Sequence, residues 1–245
     1  MSSVSVVIPV RNDAMLLAGC LTALAGQDQP PEEVIIVDNG SADDLTAVLA
    51  THPELPVRVL VEPEPGIPIA AAAGYDAAAG EFILRCDADS RPPRHWISRH
   101  AHILMAAGPE VVGVSGIARS GYGRNVLGRL AGFCYITLYR SCAAAALGHH
   151  ALWGSNMAVR SSWWRQVRGG VHLVRTVHDD FDLSFQLRPG QRLLVDRGSV
   201  MPVSWRALLS PPRILRQAHW AIVTVRLNWS EQPHWLRLRR RWSAR

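Results

Sequence analysis

The feature that most restricts the fold is an alternation of β-branched runs with alanine-rich segments over the first hundred residues. Ser3 to Val10 reads Ser-Val-Ser-Val-Val-Ile-Pro-Val, the pattern of a strand buried on both faces. Ala14 to Ala25 then reads as a helix, Glu33 to Val37 as a second strand, and Ala42 to Ala50 as a second helix. Val57 to Val61, Glu81 to Cys86 and Val111 to Val114 continue the strands, with an alanine-rich helix from Ile67 to Ala79 between the first two. Such β-α-β-α order implies a mostly parallel sheet with helices on both faces. Ligands of these sheets bind beyond the carboxyl ends of the strands. The polar residues predicted at those ends are Arg11-Asn12-Asp13, Asp38-Asn39-Gly40-Ser41, Glu62 and Asp87-Ala88-Asp89. No GxGxxG and no GxxxxGK[ST] occurs, which speaks against a dinucleotide fold and a P-loop.

Charge divides the chain. All 26 basic residues are arginine, a pattern that reads as genomic composition. Residues 1–205 carry 17 Arg against 19 acids, whereas 206–245 carry 9 Arg against the single acid Glu231. The basic character therefore belongs to a C-terminal segment, which argues against a nucleic-acid surface over the whole domain. Ser210-Pro211 is a plausible helix start, and Ile214, Ala218, Ala221, Ile222, Val225 and Trp229 recur at helical spacing until Pro233. Trp220, Trp229, Trp235 and Trp242 accompany the arginines. This segment suits either an anionic membrane interface or packing against its own domain. Ser141 to Val159 lacks Asp, Glu, Lys and Arg but contains His149, His150, Ser155 and Asn156, so no spanning helix is expected. Cys20, Cys86, Cys134 and Cys142 show no metal-type spacing and read as buried thiols of a reducing compartment. With no basic leader at the N-terminus, a soluble cytoplasmic protein with a membrane-facing surface is expected.

Asp87-Ala88-Asp89 follows a buried strand, so both carboxylates can face one ligand. Two hard oxygen donors suit Mg²⁺ or Mn²⁺ bridged to a diphosphate; alone, Asp-x-Asp is also a common surface turn. Asp38 precedes the Ser41 cap position and could accept from a ribose hydroxyl or a base N–H. His178-Asp179-Asp180-Phe181-Asp182 holds more acids than capping requires, and one could serve as general base. Arg85 and Arg91 flank the Asp-x-Asp, where each could meet a phosphate or be solvated or paired.

Five motifs in order, Val6 to Asn12, Ile35 to Ser41, Asp87 to Asp89, Gly154 to Arg160 and Asp179 to Leu183, resemble the family 2 glycosyltransferases of the inverting GT-A fold. The resemblance spans roughly residues 3–205. It implies a GT-A domain over 1–205, with a nucleotide-sugar half over about 1–91 and an acceptor half over about 92–205, followed by the basic segment 206–245. It implies that Pro9, Arg11 and Asn12 line the nucleotide pocket, that Asp38 binds base or ribose, and that Asp87 contacts ribose or assists the metal. Asp89 would ligate Mn²⁺ or Mg²⁺, Gly154, Ser155 and Asn156 would form the loop beneath the sugar, and Asp180 would be the catalytic base beside Asp179. Gln217 and Trp220 resemble a reduced form of the Gln-x-x-Arg-Trp motif of processive synthases, with His219 in place of its arginine. Ser204 stands where many members place a metal-binding histidine.

The implied activity is transfer of a sugar from a nucleotide-diphosphate donor to a hydroxyl on a glycan, polyprenyl-linked or small-molecule acceptor. A lipid-linked acceptor would explain the basic tryptophan segment, with the protein peripheral at the inner face of the membrane. Two other classes compete. A sugar-phosphate nucleotidyltransferase is expected to carry a glycine-rich, lysine-bearing N-terminal loop, which this lysine-free chain lacks. A pseudo-enzyme that binds membrane or a partner would fit Ser204 and His219, against the retained Asp38, Asp87, Asp89 and Asp180.

Overall fold

The computed structural model describes residues 2–120, 126–203 and 210–232, with side chains excepted at 119, 120, 126–135, 203 and 211. Seven strands form one sheet: β1 (Val4–Val10), β2 (Glu33–Asp38), β3 (Val57–Val61), β4 (Phe82–Arg85), β5 (Val111–Ser120), β6 (Met157–Arg160) and β7 (Arg192–Val203). Their spatial order is β3-β2-β1-β4-β6-β5-β7. Strand β6 pairs antiparallel with both β4 and β5, and every other pairing is parallel. The helices are α1 (Ala14–Ala25), α2 (Thr46–Leu49), α3 (Ile67–Ala77), α4 (Trp96–Ala106), α5 (Val126–Leu147), α6 (Ser161–Val167), α7 (Asp179–Phe185) and α8 (Pro211–Glu231).

Strand alternation sorts the core onto two faces. Val4, Val6, Ile8 and Val10 of β1 pack with Val34 and Ile36 of β2 against α1 and α4, among them Leu17, Leu21, Trp96 and Leu104. Val7, Ile35, Val37 and Ile83 face the alanines of α3 and the indoles of Trp163 and Trp164. The close approach of α3 depends on Gly74, since a Cβ there would lie 2.4 Å from Val7 Cγ1. Burial on both faces explains why these strands read as continuous apolar runs.

Two elements differ from expectation. The second helix shrinks to the single turn of α2 because the acids ahead of it are spent on loop contacts. Asp43 accepts from the Ala14 amide at 3.2 Å, and Asp44 accepts from the Thr46 amide at 2.8 Å. Strand β5 extends six residues past Val114 because β7, unread in the sequence, pairs along it through Ser120↔Val203. Cys20 and Cys86 are buried with their sulfurs 3.7 Å apart, but Cys142 is exposed, which corrects the expectation of buried thiols at that position.

Helix α8 turns only one edge of its apolar stripe inward, Ile214, Ala221 and Val225 being half-buried. Thr224 and Asn228 are its buried residues, while Ala218, Ile222 and Trp229 of the expected stripe lie exposed. The reason is the partner: α8 meets α7 and the residues just before it through polar bonds, with Val225 of the stripe packed beside them on Phe181 and Phe185. Asn228 Nδ2 donates to Asp182 at 2.6 Å, and Thr224 Oγ accepts from the His178 amide at 3.0 Å. Ser210 stands at the start with Pro in the first turn, but its side chain makes no capping bond.

Candidate active site

The loops at the carboxyl ends of β1, β2 and β4 converge as the alternation requires. Asn12 adopts a left-handed backbone (φ 56°), a conformation asparagine tolerates well. Its Oδ1 accepts from the Ala42 amide at 2.7 Å, and its own amide donates to Ser41 Oγ at 3.2 Å. Asp38 Oδ1 accepts from the Ser41 amide at 2.9 Å. Buried Asn39 straps β2 to the next loop, donating to the carbonyls of Glu62 (3.0 Å) and Glu64 (2.7 Å) and accepting from the Gly66 amide (2.7 Å). Pro9, Asn12 and Asp38 therefore share one edge, with Arg11 exposed beside them.

The centre of the site is Arg85, the last residue of β4. Its side chain is only 4% exposed. Its guanidinium donates through Nη1 to Asp179 at the start of α7 and through Nη2 to Asp87 at 3.2 Å. Asp87 also accepts from the Ser155 hydroxyl. Gly154 lies directly on the guanidinium, where a Cβ would come 2.3 Å from Nη1. The Gly154 amide donates to Asp180 Oδ2 at 2.7 Å, and the Phe181 amide donates to Oδ1 at 2.7 Å. One connected network thus joins Asp87, Asp179, Asp180, Gly154 and Ser155, residues scattered over nearly a hundred positions. Burial pushes the Asp179 carboxyl up from its ordinary range, with Asp180 and Asp87 adding repulsion and Arg85 opposing. Tyr75, on α3, lines the same interior, and burial pushes its phenol up as well.

Asn156 takes a different place from its neighbours in the loop. It is fully buried, accepts from Trp96 Nε1 (2.9 Å) and Ser199 Oγ (3.2 Å), and donates to the carbonyls of Ile117 (3.2 Å) and Ser199 (3.1 Å). Its hydrogen-bonding capacity is met inside the protein. Gln217 and Trp220 both adjoin the acidic motif: His178 Nε2 donates to the Gln217 carbonyl at 2.9 Å, and the His178 and Trp220 rings meet edge-on at 6.0 Å. Arg91 turns away, donating to the carbonyls of Leu16 and Ser90. The central role of Arg85 was not assigned from sequence. Its signal was its place in Phe-Ile-Leu-Arg-Cys, where alternation puts an arginine on a buried face.

Asp87 and Asp89 are half-buried at the mouth of this network. Among the described residues no three His, Cys, Asp or Glu side chains cluster closely enough to hold a metal ion. Two carboxylates are nevertheless a fitting donor set for Mg²⁺ or Mn²⁺, which take oxygen ligands and commonly complete their shell with substrate phosphate and water. Ser204 lies outside the described residues, as do Trp235 and Trp242.

Against known families, the glycosyl transferase family 2 model matches residues 5–155, and that of glycosyl transferase family group 2 matches residues 82–244. The chain belongs to glycosyl transferase family 2. As a family 2 chain it shows 31% identity over 115 residues to the glycosyltransferase AglE of Haloferax volcanii, covering 45% of this chain and 38% of that protein. It shows 35% identity over 117 residues to an undecaprenyl-phosphate 4-deoxy-4-formamido-L-arabinose transferase of Serratia proteamaculans, covering 45% and 36%. These matches span well under half the length of either relative. Among solved structures, glucosyl-3-phosphoglycerate synthase from Mycobacterium tuberculosis, in complex with Mn²⁺, UDP-glucose and phosphoglyceric acid, superposes with a TM-score of 0.71. The identity is 18%, over 94% of this chain and 80% of that one. That likeness establishes the GT-A fold of this family 2 member.

Proposed function

We propose that this family 2 chain transfers a glycosyl group from a nucleotide-diphosphate sugar to an acceptor hydroxyl, with inversion at the anomeric carbon. The carrying observation is the Arg85 network, which holds donor-side Asp87 and acceptor-side Asp179–Asp180 in one site. Pro9, Arg11, Asn12 and Asp38 bind the nucleoside. Asp87 and Asp89 hold a divalent metal, which when bound neutralises charge on the donor diphosphate.

Asp180 takes the proton from the acceptor hydroxyl. The acceptor oxygen bonds to the anomeric carbon as the bond from that carbon to the diphosphate breaks, and the nucleoside diphosphate leaves. Two backbone amides fix the Asp180 carboxylate, whereas Asp179 is committed to Arg85. That division supports Asp180 as base and Asp179 as its positioning neighbour. Similarity to an undecaprenyl-phosphate sugar transferase supports a lipid-linked acceptor. Peripheral contact at the inner face of a membrane, through 206–245, would present such an acceptor.

The test is release of nucleoside diphosphate from a panel of nucleotide sugars, with polyprenyl-linked glycans and soluble glycans as hydroxyl acceptors. Asp180→Asn should abolish transfer, a loss of about 10³-fold or more, while nucleotide affinity is kept. Full transfer by Asp180→Asn would remove it as the base.

A further inference from the structure

Helix α8 leaves much of its apolar surface outside the domain. A helix resting on its own domain ordinarily buries its apolar stripe and shows water a polar face. Here the most deeply buried residues are polar, and of the apolar stripe Val225 packs on the Phe181–Phe185 cluster while Ile214 and Ala221 are half-buried. Thr224 and Asn228 are buried and bonded to the His178 amide and Asp182, and Gln186 Nε2 donates to Asn228 Oδ1 at 3.3 Å. The outward face carries Leu215 (70% exposed), Ile222 (54%) and, at its edge, Trp229 (38%), whose Nε1 donates to the Ala146 carbonyl of α5 at 3.4 Å. Their seven-residue spacing puts them along one side of the helix over about 21 Å. Large apolar side chains aligned in the open mark an interaction surface more than chance exposure does.

Charge selects the occupant. Arg216 and Arg226 are exposed beside this line, and Arg216 lies over the Trp220 ring at 5.5 Å. Glu231 is the only acid in α8, and it is engaged by His172 Nε2 at 3.2 Å. No described helix is long and apolar enough to cross a membrane, so insertion of a span is not what this face provides.

We infer that the Leu215–Ile222–Trp229 face of α8 lies in the interfacial layer of an anionic bilayer, with Arg216 and Arg226 meeting lipid phosphates. The bonds of α8 to Asp182 and the His178 amide then hold α7, which carries the proposed base Asp180, one helix behind the lipid surface. This rests on the peripheral contact proposed above and assigns it to a face.

The test is co-sedimentation of the full chain with vesicles of phosphatidylglycerol and phosphatidylcholine, and with phosphatidylcholine alone. Binding should require the anionic lipid and weaken with salt. L215S/I222S, both exposed and outside the proposed catalytic machinery, should weaken it about a hundredfold. Calorimetric nucleotide binding in the same preparations shows that the fold and donor site are intact. Vesicle binding equal to wild type in L215S/I222S would overturn the assignment of this face. Failure of the wild type to bind anionic vesicles while still binding nucleotide would overturn docking and leave the transferase reading standing. A dimer abolished by L215S/I222S, without vesicle binding, would instead give the face to a second copy of the chain.

Discussion

Arg85 and Asp179, 94 positions apart in the chain, form a buried ion pair that fastens the end of β4 to the start of α7. The same guanidinium reaches Asp87, so one side chain spans the proposed donor and acceptor sides of the site. An isolated buried cation or carboxylate is costly, and removing one partner leaves the other uncompensated.

Arg85→Met should therefore destabilise the fold by about 3–5 kcal/mol in urea denaturation at neutral pH. Adding Asp179→Asn removes the stranded charge and should recover a substantial part of that loss. Equal stability of Arg85→Met and wild type would show that the pair does not hold these elements together.

Gly154→Ala tests the close approach at the same place. The added Cβ would sit 2.3 Å from Arg85 Nη1, and Arg85 has little room to move. The loop must shift, and the Asp180 carboxylate moves with the Gly154 amide. Transfer should fall about 10–100-fold while nucleotide affinity stays within about twofold, because positioning and not binding is disturbed.

Asn156→Ala should behave as a structural lesion. It strands Trp96 Nε1 and takes a donor from the buried carbonyls of Ile117 and Ser199, while Ser199 Oγ keeps its bond to His100. A loss of about 2–4 kcal/mol in chemical denaturation is expected, with unchanged nucleotide affinity in the folded fraction. A selective loss of nucleotide binding would instead place Asn156 in the sugar site.

His100 predicts an acid limb in the stability profile. The ring is fully buried, bonded through Nε2 to Ser199 Oγ at 2.9 Å, and burial lowers its pKa to about 4. The folded state keeps it neutral, while the unfolded chain takes up a proton near its ordinary value of about 6.5. Its contribution is thus complete above pH about 6.5 and lost as pH falls toward about 4, some 3 kcal/mol in all. Denaturation of His100→Gln between those limits should show a shallower pH dependence than wild type.

Strands β1, β2 and β4 were legible because burial on both faces writes them as nearly unbroken apolar runs, and α1 and the half-exposed edge strand β3 also fall where the sequence puts them. Strand β7 was not, because Arg192, Asp196, Arg197 and Ser199 interrupt its apolar residues and its identity depends on β5. The carboxylates were legible as motifs at strand and helix ends. The network joining them was not, since nothing in the local sequence of Arg85 names Asp179 as its partner. Helix α8 shows the same limit. Its period reveals an apolar stripe, but which side meets the domain is decided by His178 and Asp182, supplied from elsewhere in the chain.

The most direct test is calorimetric titration of the purified chain with UDP, GDP and dTDP, with and without Mn²⁺. One nucleotide should bind in a metal-dependent way, and Asp89→Ala should abolish the metal dependence. Absence of binding by all three nucleotides in the presence of Mn²⁺ would contradict the donor site and the transferase reading built on it.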